Sequence, residues 1–342
     1  MSSLPTTSFV SRRVNPSTFV VSEDDDFGEQ PYIYIKIYAK FIVVTDSGCN
    51  KPRNKDVQIS SLRQYIEEYP IASNSNASLN PGGEKAYIII CSHCHYDHIL
   101  GLPQFLSSNP TIIASELGKY FILQDLPEHS LCKYLDIPTP RYDVSRWAGQ
   151  FEYFSMSNTH FRIQFLQIPG HTPDSLAWYD IDEHYLYIGD TLYTRQRSPP
   201  IPELPDDAGQ VPGIPSTQAA IIFPEEGGNW IQYMASLNLL RYFVKHRNAE
   251  LERQHSSAET AAPRVLLACG HLTYGADAEA MVLEVQELFQ RIIAGKVAVR
   301  SSSEKRGIIY DYWLESDESC YGVTAPRHLA EEARKHFHGT AL

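Results

Sequence analysis

His93-Cys94-His95-Tyr96-Asp97-His98 places three imidazoles and a carboxylate within six residues. It follows directly on the apolar run Ala86-Tyr87-Ile88-Ile89-Ile90-Cys91, which reads as a buried strand. A strand that ends in such a cluster delivers several metal donors from one rigid element. Imidazole nitrogen with carboxylate oxygen is the donor mix of zinc and of other divalent transition metals. Histidine accounts for only 13 of the 342 residues, so composition alone does not produce the cluster. In an extended segment, alternation turns Cys94 away from His93 and His95, and Cys94 therefore reads as packing rather than as a ligand.

Three further residues share one local grammar: a short hydrophobic strand, a Gly or Pro-Gly break, then a ligand-type side chain. His171 follows Ile168-Pro169-Gly170. Asp190 follows Tyr185-Leu186-Tyr187-Ile188-Gly189. His271 follows Leu266-Leu267-Ala268-Cys269-Gly270. Strand ends that gather at one edge of a sheet are where a site can be assembled from distant parts of a chain.

His-x-His-x-Asp-His, then a distant Gly-His, then Gly-Asp, then Gly-His resembles the metallo-β-lactamase superfamily. Asp46-Ser47-Gly48, after Phe41-Ile42-Val43-Val44-Thr45, resembles the turn that buttresses that family's metal site. The match runs from about Asp46 to His271. The resemblance implies an α+β fold, a four-layer αββα metallo-β-lactamase sandwich made of two similar halves. It implies two divalent metal ions, with zinc expected and manganese, iron or cobalt compatible with the same donors. His93, His95 and His171 would bind the first metal, Asp97, His98 and His271 the second, and Asp190 would bridge them. It further implies hydrolysis by a metal-bridging hydroxide, with Asp97 or Asp190 moving the proton. Asp190-Thr191-Leu192-Tyr193-Thr194 is similar to the Asp-x-x-Tyr-Thr stretch of N-acyl-homoserine lactone lactonases, and Ala235-Ser236-Leu237 also fits that branch. In that branch the tyrosine hydroxyl bonds the substrate, which assigns Tyr193 a catalytic role. Pro173-Asp174, a long Pro-rich insert and a longer C-terminus depart from the branch.

Composition bounds the rest. A formal net charge of −12 without a dense basic run argues against nucleic-acid binding through phosphate contacts. No apolar run approaches transmembrane length, and the N-terminus lacks the apolar centre of a signal peptide. Six scattered cysteines form no small-scaffold framework, so a reduced, cytoplasmic protein acting on a small-molecule substrate is expected. A homo-oligomer stays open, with Trp147 and Trp230 as surface aromatics for an interface.

The pattern predicts a flexible tail over 1–16 and a single metallo-β-lactamase-fold domain over 17–342. That domain would carry a Pro-rich insert at 196–229 and a C-terminal extension at about 300–342. Strands are expected over Thr18-Phe19-Val20-Val21, Tyr32 to Ile37 and Phe41 to Val44, with Glu23 to Asp26 and Gly28 as a loop. Helices are expected at Ile59 to Glu68, from Gly101, at Glu116 to Leu123, Trp230 to Lys245, Ala276 to Ile293 and Arg327 to His336. Ala249 to Ala262 reads as a loop or frayed extension. Ser198 to Pro215 holds six prolines and reads as a cap on the pocket, with a disordered insertion as the other reading.

These features point to a dinuclear metallohydrolase that opens a lactone or lactam. The alternative enzyme is a thioesterase of glyoxalase II or acyl-carrier type, with Arg195 and Arg197 available for an anionic thioester. The alternative of another class is a non-catalytic metal-binding scaffold.

Overall fold

The computed structural model describes residues 4–156, 159–199, 219–256 and 260–339. Strands and helices mix in an α+β architecture, as expected. Two compact units are present. The first holds residues up to Ala148 together with Gly270–Leu272, and the second holds the described residues of 149–199, 219–269 and 273–339.

The first unit is built on a seven-stranded sheet in chain order: β1 (Phe9–Asn15), β2 (Thr18–Glu23), β3 (Tyr32–Ile37), β4 (Phe41–Thr45), β5 (Ala86–Ile90), β6 (Thr111–Ser115) and β7 (Arg146–Ala148). β1 to β4 pair antiparallel, whereas β4 to β7 pair parallel. Parallel strands need covered crossovers, and the inner ones accordingly read as unbroken Val/Ile runs. α1 (Leu62–Glu68) makes the β4–β5 crossover. Ser61 caps it, and Leu62, Tyr65 and Ile66 turn inward as the spacing predicts. The core runs from Phe9 through Val44, Ile89 and Phe105 to Ile122. Thr45 and Ile90 are register partners, so Asp46 and the segment from Ser92 leave the sheet at the same edge.

The N-terminal tail needs correction over 9–15. Those residues form β1, because Phe9 is buried and the Arg13 guanidinium lies 4.4 Å from the Phe19 ring centroid while its Nε donates to the Ser73 carbonyl. The run from Leu102 to Ser108 is a 3₁₀ helix. α2 (Tyr96–Ile99), α3 (Lys119–Gln124) and α4 (Leu126–His129) complete this unit's α-helices.

The second unit contributes β8 (Tyr153–Met156), β9 (Thr159–Gln167), β10 (Leu176–Asp180), β11 (Tyr185–Tyr187), β12 (Ile221–Ile222), β13 (Leu266–Ala268), β14 (Tyr274–Asp277), β15 (Val299–Lys305), β16 (Ile308–Trp313) and β17 (Val323–Pro326). One sheet has the order β14-β13-β11-β10-β9-β8 and another the order β12-β17-β16-β15. β11 and β13 are parallel, with Tyr187 opposite Ala268, so Asp190 and Cys269 follow strands that end at one edge.

α5 (Trp230–Gln254), α6 (Ala278–Ile293) and α7 (Arg327–His338) pack in the second unit. α5 runs nine residues past Lys245 and takes in Ala249 to Gln254, the first part of the stretch expected as a loop or frayed extension. Ala249, Glu250, Leu251, Arg253 and Gln254 are strong helix formers, and Leu251 is buried. Trp230 is not a surface aromatic: it is 1% exposed, with Phe289 and Trp313 at centroid distances of 4.9 and 5.3 Å. The predicted cap at Ser198 to Pro215 lies outside the described residues from residue 200 onward. Among the described residues no helix is long and apolar enough to cross a membrane.

Candidate metal centre

Asp46 organises the first unit's donors. It sits at φ +63°, a left-handed turn that aspartate tolerates better than most residues. Its carboxylate accepts the Ser92 N–H at 2.7 Å and the Ser92 hydroxyl at 2.8 Å. It also accepts the His98 Nδ1–H at 2.9 Å. Next to it, the Ser47 N–H and hydroxyl both donate to the His98 carbonyl, at 2.7 and 2.9 Å. Gly48 at φ +76° then lets the chain turn beside the Ile33 side chain. The Asp46-Ser47-Gly48 turn therefore grips His98 by both ring and backbone.

Asp97 and His98 belong to α2, and His271 belongs to the same compact unit. One ligand atom from each of these three residues lies within 4.8 Å of the others. The Asp97 Oδ2 is 3.2 Å from His98 Nε2 and 3.1 Å from His271 Nε2. Burial alone would raise the Asp97 carboxyl, yet the neighbouring His98 and His271 together hold it well below the usual carboxylate range. His93 and His95 form a second pair, Nε2 to Nδ1 at 2.9 Å, and the Ser92 hydroxyl lies 3.0 Å from His93 Nδ1. All five side chains are buried. Cys94 points elsewhere, as alternation predicts, and its thiol bonds the His129 carbonyl.

In the second unit, His171 and Asp190 each follow a strand. His171 Nδ1 lies 2.9 Å from the Ile222 carbonyl. Gly170 at φ +145° is required there, because a Cβ would lie 2.4 Å from Tyr233 Cα. The Asn229 N–H and the Ser236 hydroxyl donate to the carbonyls of Gly170 and Pro169. The Tyr233 hydroxyl donates to the Thr191 carbonyl at 2.6 Å, so α5 braces the turns of both His171 and Asp190. Asp190 and Tyr193 are buried. Arg195 is committed to structure: its N–H accompanies two guanidinium bonds that tie residues 317–320 to this loop.

A shared feature is the fate of the imidazole Nδ1 atoms. A carboxylate or carbonyl oxygen can only accept, so His98, His171 and His271 each carry a proton on Nδ1. The acceptors are Asp46, the Ile222 carbonyl and the Glu29 carbonyl. Each Nε2 is then the atom left to face a metal, the arrangement that metal-ligating histidine adopts, and those of His98 and His271 face the Asp97 carboxylate. The donor set therefore fits divalent transition metals.

The β2–β3 loop carries residues that sequence reasoning missed, because Glu23 to Asp26 reads there as an ordinary solvated acidic loop. Asp25 is fully buried, and its carboxylate accepts the N–H groups of Phe27, Gly28, Glu29 and Gln30 at 2.8, 2.8, 3.3 and 2.6 Å. The Glu29 carbonyl takes the His271 Nδ1–H at 3.1 Å, and its carboxylate accepts the Tyr96 hydroxyl. Burial, with the Asp97 charge, pushes the Glu29 carboxyl up to about 7.

Glu23, 1% exposed, accepts the N–H groups of Asn50 and Lys51. Burial, reinforced by the Asp25 charge, raises its carboxyl from 4.5 to about 7. The folded protein thus holds this proton more tightly than the unfolded chain. The contribution is complete below pH 4.5 and is lost as pH rises through about 7. Relative to a non-titrating Glu23→Gln variant, the wild type is expected to lose on the order of 3 kcal/mol across that window. Urea unfolding of both proteins at several pH values checks it, and parallel pH profiles would contradict the assignment.

The chain has relatives among known proteins. The family model of the Metallo-beta-lactamase superfamily matches residues 30–243. Over 337 residues the chain is 31% identical to "Putative transcription factor avaE" of Aspergillus versicolor, spanning 96% of this chain and 89% of that protein. A shorter stretch of 106 residues is 26% identical to the hydroxyacylglutathione hydrolase of Psychromonas ingrahamii, covering 31% of this chain and 33% of that enzyme. Among solved structures, it is similar to a metallo-beta-lactamase family protein from Thermus thermophilus, with a TM-score of 0.47, 14% identity and 85% of each chain covered. Because the family match spans more than half of the sequence and contains six of the seven expected donors, with His271 alone beyond it, this chain belongs to the metallo-beta-lactamase superfamily.

Proposed function

We propose that this protein is a dinuclear metal-dependent hydrolase that opens a cyclic ester or amide, a lactone or lactam. The observation that carries this reading is the set of Nδ1 bonds, which commits that nitrogen of His98, His171 and His271 to a protein acceptor and leaves Nε2 as the atom that could ligate a metal. His93, His95 and His171 would hold one ion and Asp97, His98 and His271 the other, with Asp190 shared. All seven are buried donors of the kinds that hold a metal. When bound, two divalent ions supply Lewis acidity and bring the pKa of water to about 7. The chain's own groups do the rest. Asp97 and Asp190 offer carboxylate oxygens to receive the proton released as the acyl bond is attacked. Tyr193 offers a hydroxyl to the substrate's carbonyl oxygen. Burial of the donors excludes bulk water, which strengthens each of these interactions.

The thioesterase reading is favoured by the stretch shared with the hydroxyacylglutathione hydrolase. Against it, Arg195, an available cation for the carboxylates of such a thioester, is spent on the carbonyls of Asp317 and Ser319. The name of the Aspergillus versicolor relative raises DNA binding for this chain too. The net charge of −12 opposes the phosphate contacts such binding depends on.

The test is a hydrolysis panel on zinc-loaded protein, with lactones, lactams, β-lactams and acyl thioesters each run with and without a chelator. Chelator-sensitive ring opening is the expected result. Turnover confined to thioesters overturns the ring-opening assignment and promotes the thioesterase.

A further inference from the structure

We propose that the β2–β3 loop is a positioning device for the second metal: Asp25 winds the loop, and Glu29 fixes His271 and α2 relative to one another. The proposal rests on the metallohydrolase reading above. Its basis is that one residue touches both the His271 ring and the residue beside Asp97, by two different groups. The Glu29 main-chain carbonyl orients the His271 ring through Nδ1 at 3.1 Å. Its side chain accepts the hydroxyl of Tyr96, the residue before Asp97 on α2. Further along the chain, the Tyr32 N–H donates to the Gly270 carbonyl at 2.7 Å, so the backbone beside His271 is also held from the end of this loop.

The start of the loop is tied to its neighbours by backbone bonds, Asp24 to Ser8 and Arg53 and Asp26 to Lys51. Residues 24–31 form no strand or helix, and Gly28 takes φ +82°. Four backbone N–H groups converge instead on the buried Asp25 carboxylate. All four would lose this acceptor without it, Gly28 keeping the Asp25 main-chain carbonyl at 3.3 Å, and the direction of the Glu29 carbonyl would be free to drift. His271 is more than 240 residues away in sequence, and its ring is held by the Glu29 carbonyl at Nδ1 and by the Asp97 carboxylate at Nε2. Outer partners of this kind typically tune metal affinity by about 10–100-fold.

The experiment is a cobalt(II) titration of metal-free protein, followed by visible absorption against a competing chelator. The variants are Asp25→Ala, Glu29→Ala, Glu29→Gln and Tyr96→Phe. In the wild type two equivalents are expected. Glu29→Ala and Tyr96→Phe should weaken the second equivalent by roughly tenfold and leave the first unchanged. Asp25→Ala should weaken it by roughly a hundredfold. Glu29→Gln keeps an acceptor for the Tyr96 hydroxyl while removing the charge, and it should restore near-wild-type affinity. This separates positioning from simple electrostatic attraction.

If Glu29→Gln is as weak as Glu29→Ala, charge and not position is the cause, and the proposal fails. It fails equally if the variants bind both equivalents as the wild type does, or if both equivalents weaken together. Should Asp25→Ala not fold, the Glu29 and Tyr96 variants decide the matter. A wild type that takes up no metal overturns the metallohydrolase reading itself, and this proposal with it.

Discussion

Replacing Asp97 with alanine is expected to lower hydrolysis by on the order of a thousandfold or more, equivalent to roughly 4 kcal/mol of lost transition-state stabilisation. The size follows from how much converges on one carboxylate. Oδ2 faces the Nε2 atoms of His98 and His271 at 3.2 and 3.1 Å. Without it, two imidazoles confront one another in a buried space with no anion between them. A divalent ion there would lose a charged donor, and its affinity would fall with it. The loss should therefore appear twice: in kcat and in the number of metal ions retained after dialysis. Asp97→Asn should be less severe in stability but similarly poor in rate, because an amide is neither anionic nor a base. Full activity in Asp97→Ala would remove this residue from the site.

The second large effect is structural. Gly101→Ala should cost about 3–5 kcal/mol of stability, since neither side can yield cheaply. A Cβ at Gly101 would sit 2.1 Å from the Ser47 carbonyl oxygen and 3.0 Å from its carbon. Both are backbone atoms, and Ser47 is itself pinned to the His98 carbonyl by two hydrogen bonds. Relief would have to come from moving the Asp46-Ser47-Gly48 turn, and with it the Asp46 bond to His98 Nδ1. Urea or thermal unfolding measures the loss. Gly82→Ala is the matched comparison, because a Cβ there meets nothing within 4 Å and the cost is only the left-handed φ of +62°. That variant should lose roughly 1 kcal/mol. Equal losses in the two variants would contradict the close approach.

These two effects also show where sequence is informative. The candidate donors were legible because chemistry and spacing coincide. His93 to His98 follow a recognisable strand, and His171, Asp190 and His271 each follow a short apolar run and a glycine. The inward faces of α1 and α6 were legible from periodicity alone: Leu62, Tyr65 and Ile66, then Met281, Val282, Val285, Leu288 and Phe289. Burial of an acid is harder to foresee. Asp25 and Glu23 look solvated in Glu23-Asp24-Asp25-Asp26, and only the folded chain brings six backbone N–H groups to their carboxylates. Length was the other weak point. The polar surface of α5 beyond Lys245 left loop and frayed extension both open although its residues favour helix. β1 was hidden because an edge strand needs only one buried aromatic, Phe9, to anchor it. Trp230 shows the converse: an aromatic at a helix start reads as available, yet it fills the core against Phe289 and Trp313.

The most direct test of the central claim is a count of metal ions on the purified protein. Purified chain is stripped with a chelator, reloaded with zinc, passed through a desalting column and assayed by elemental analysis. Two equivalents of metal per chain are predicted, falling to one in Asp97→Ala. A correctly folded wild type that retains none would contradict the account, because seven buried donors would then have no ion to serve.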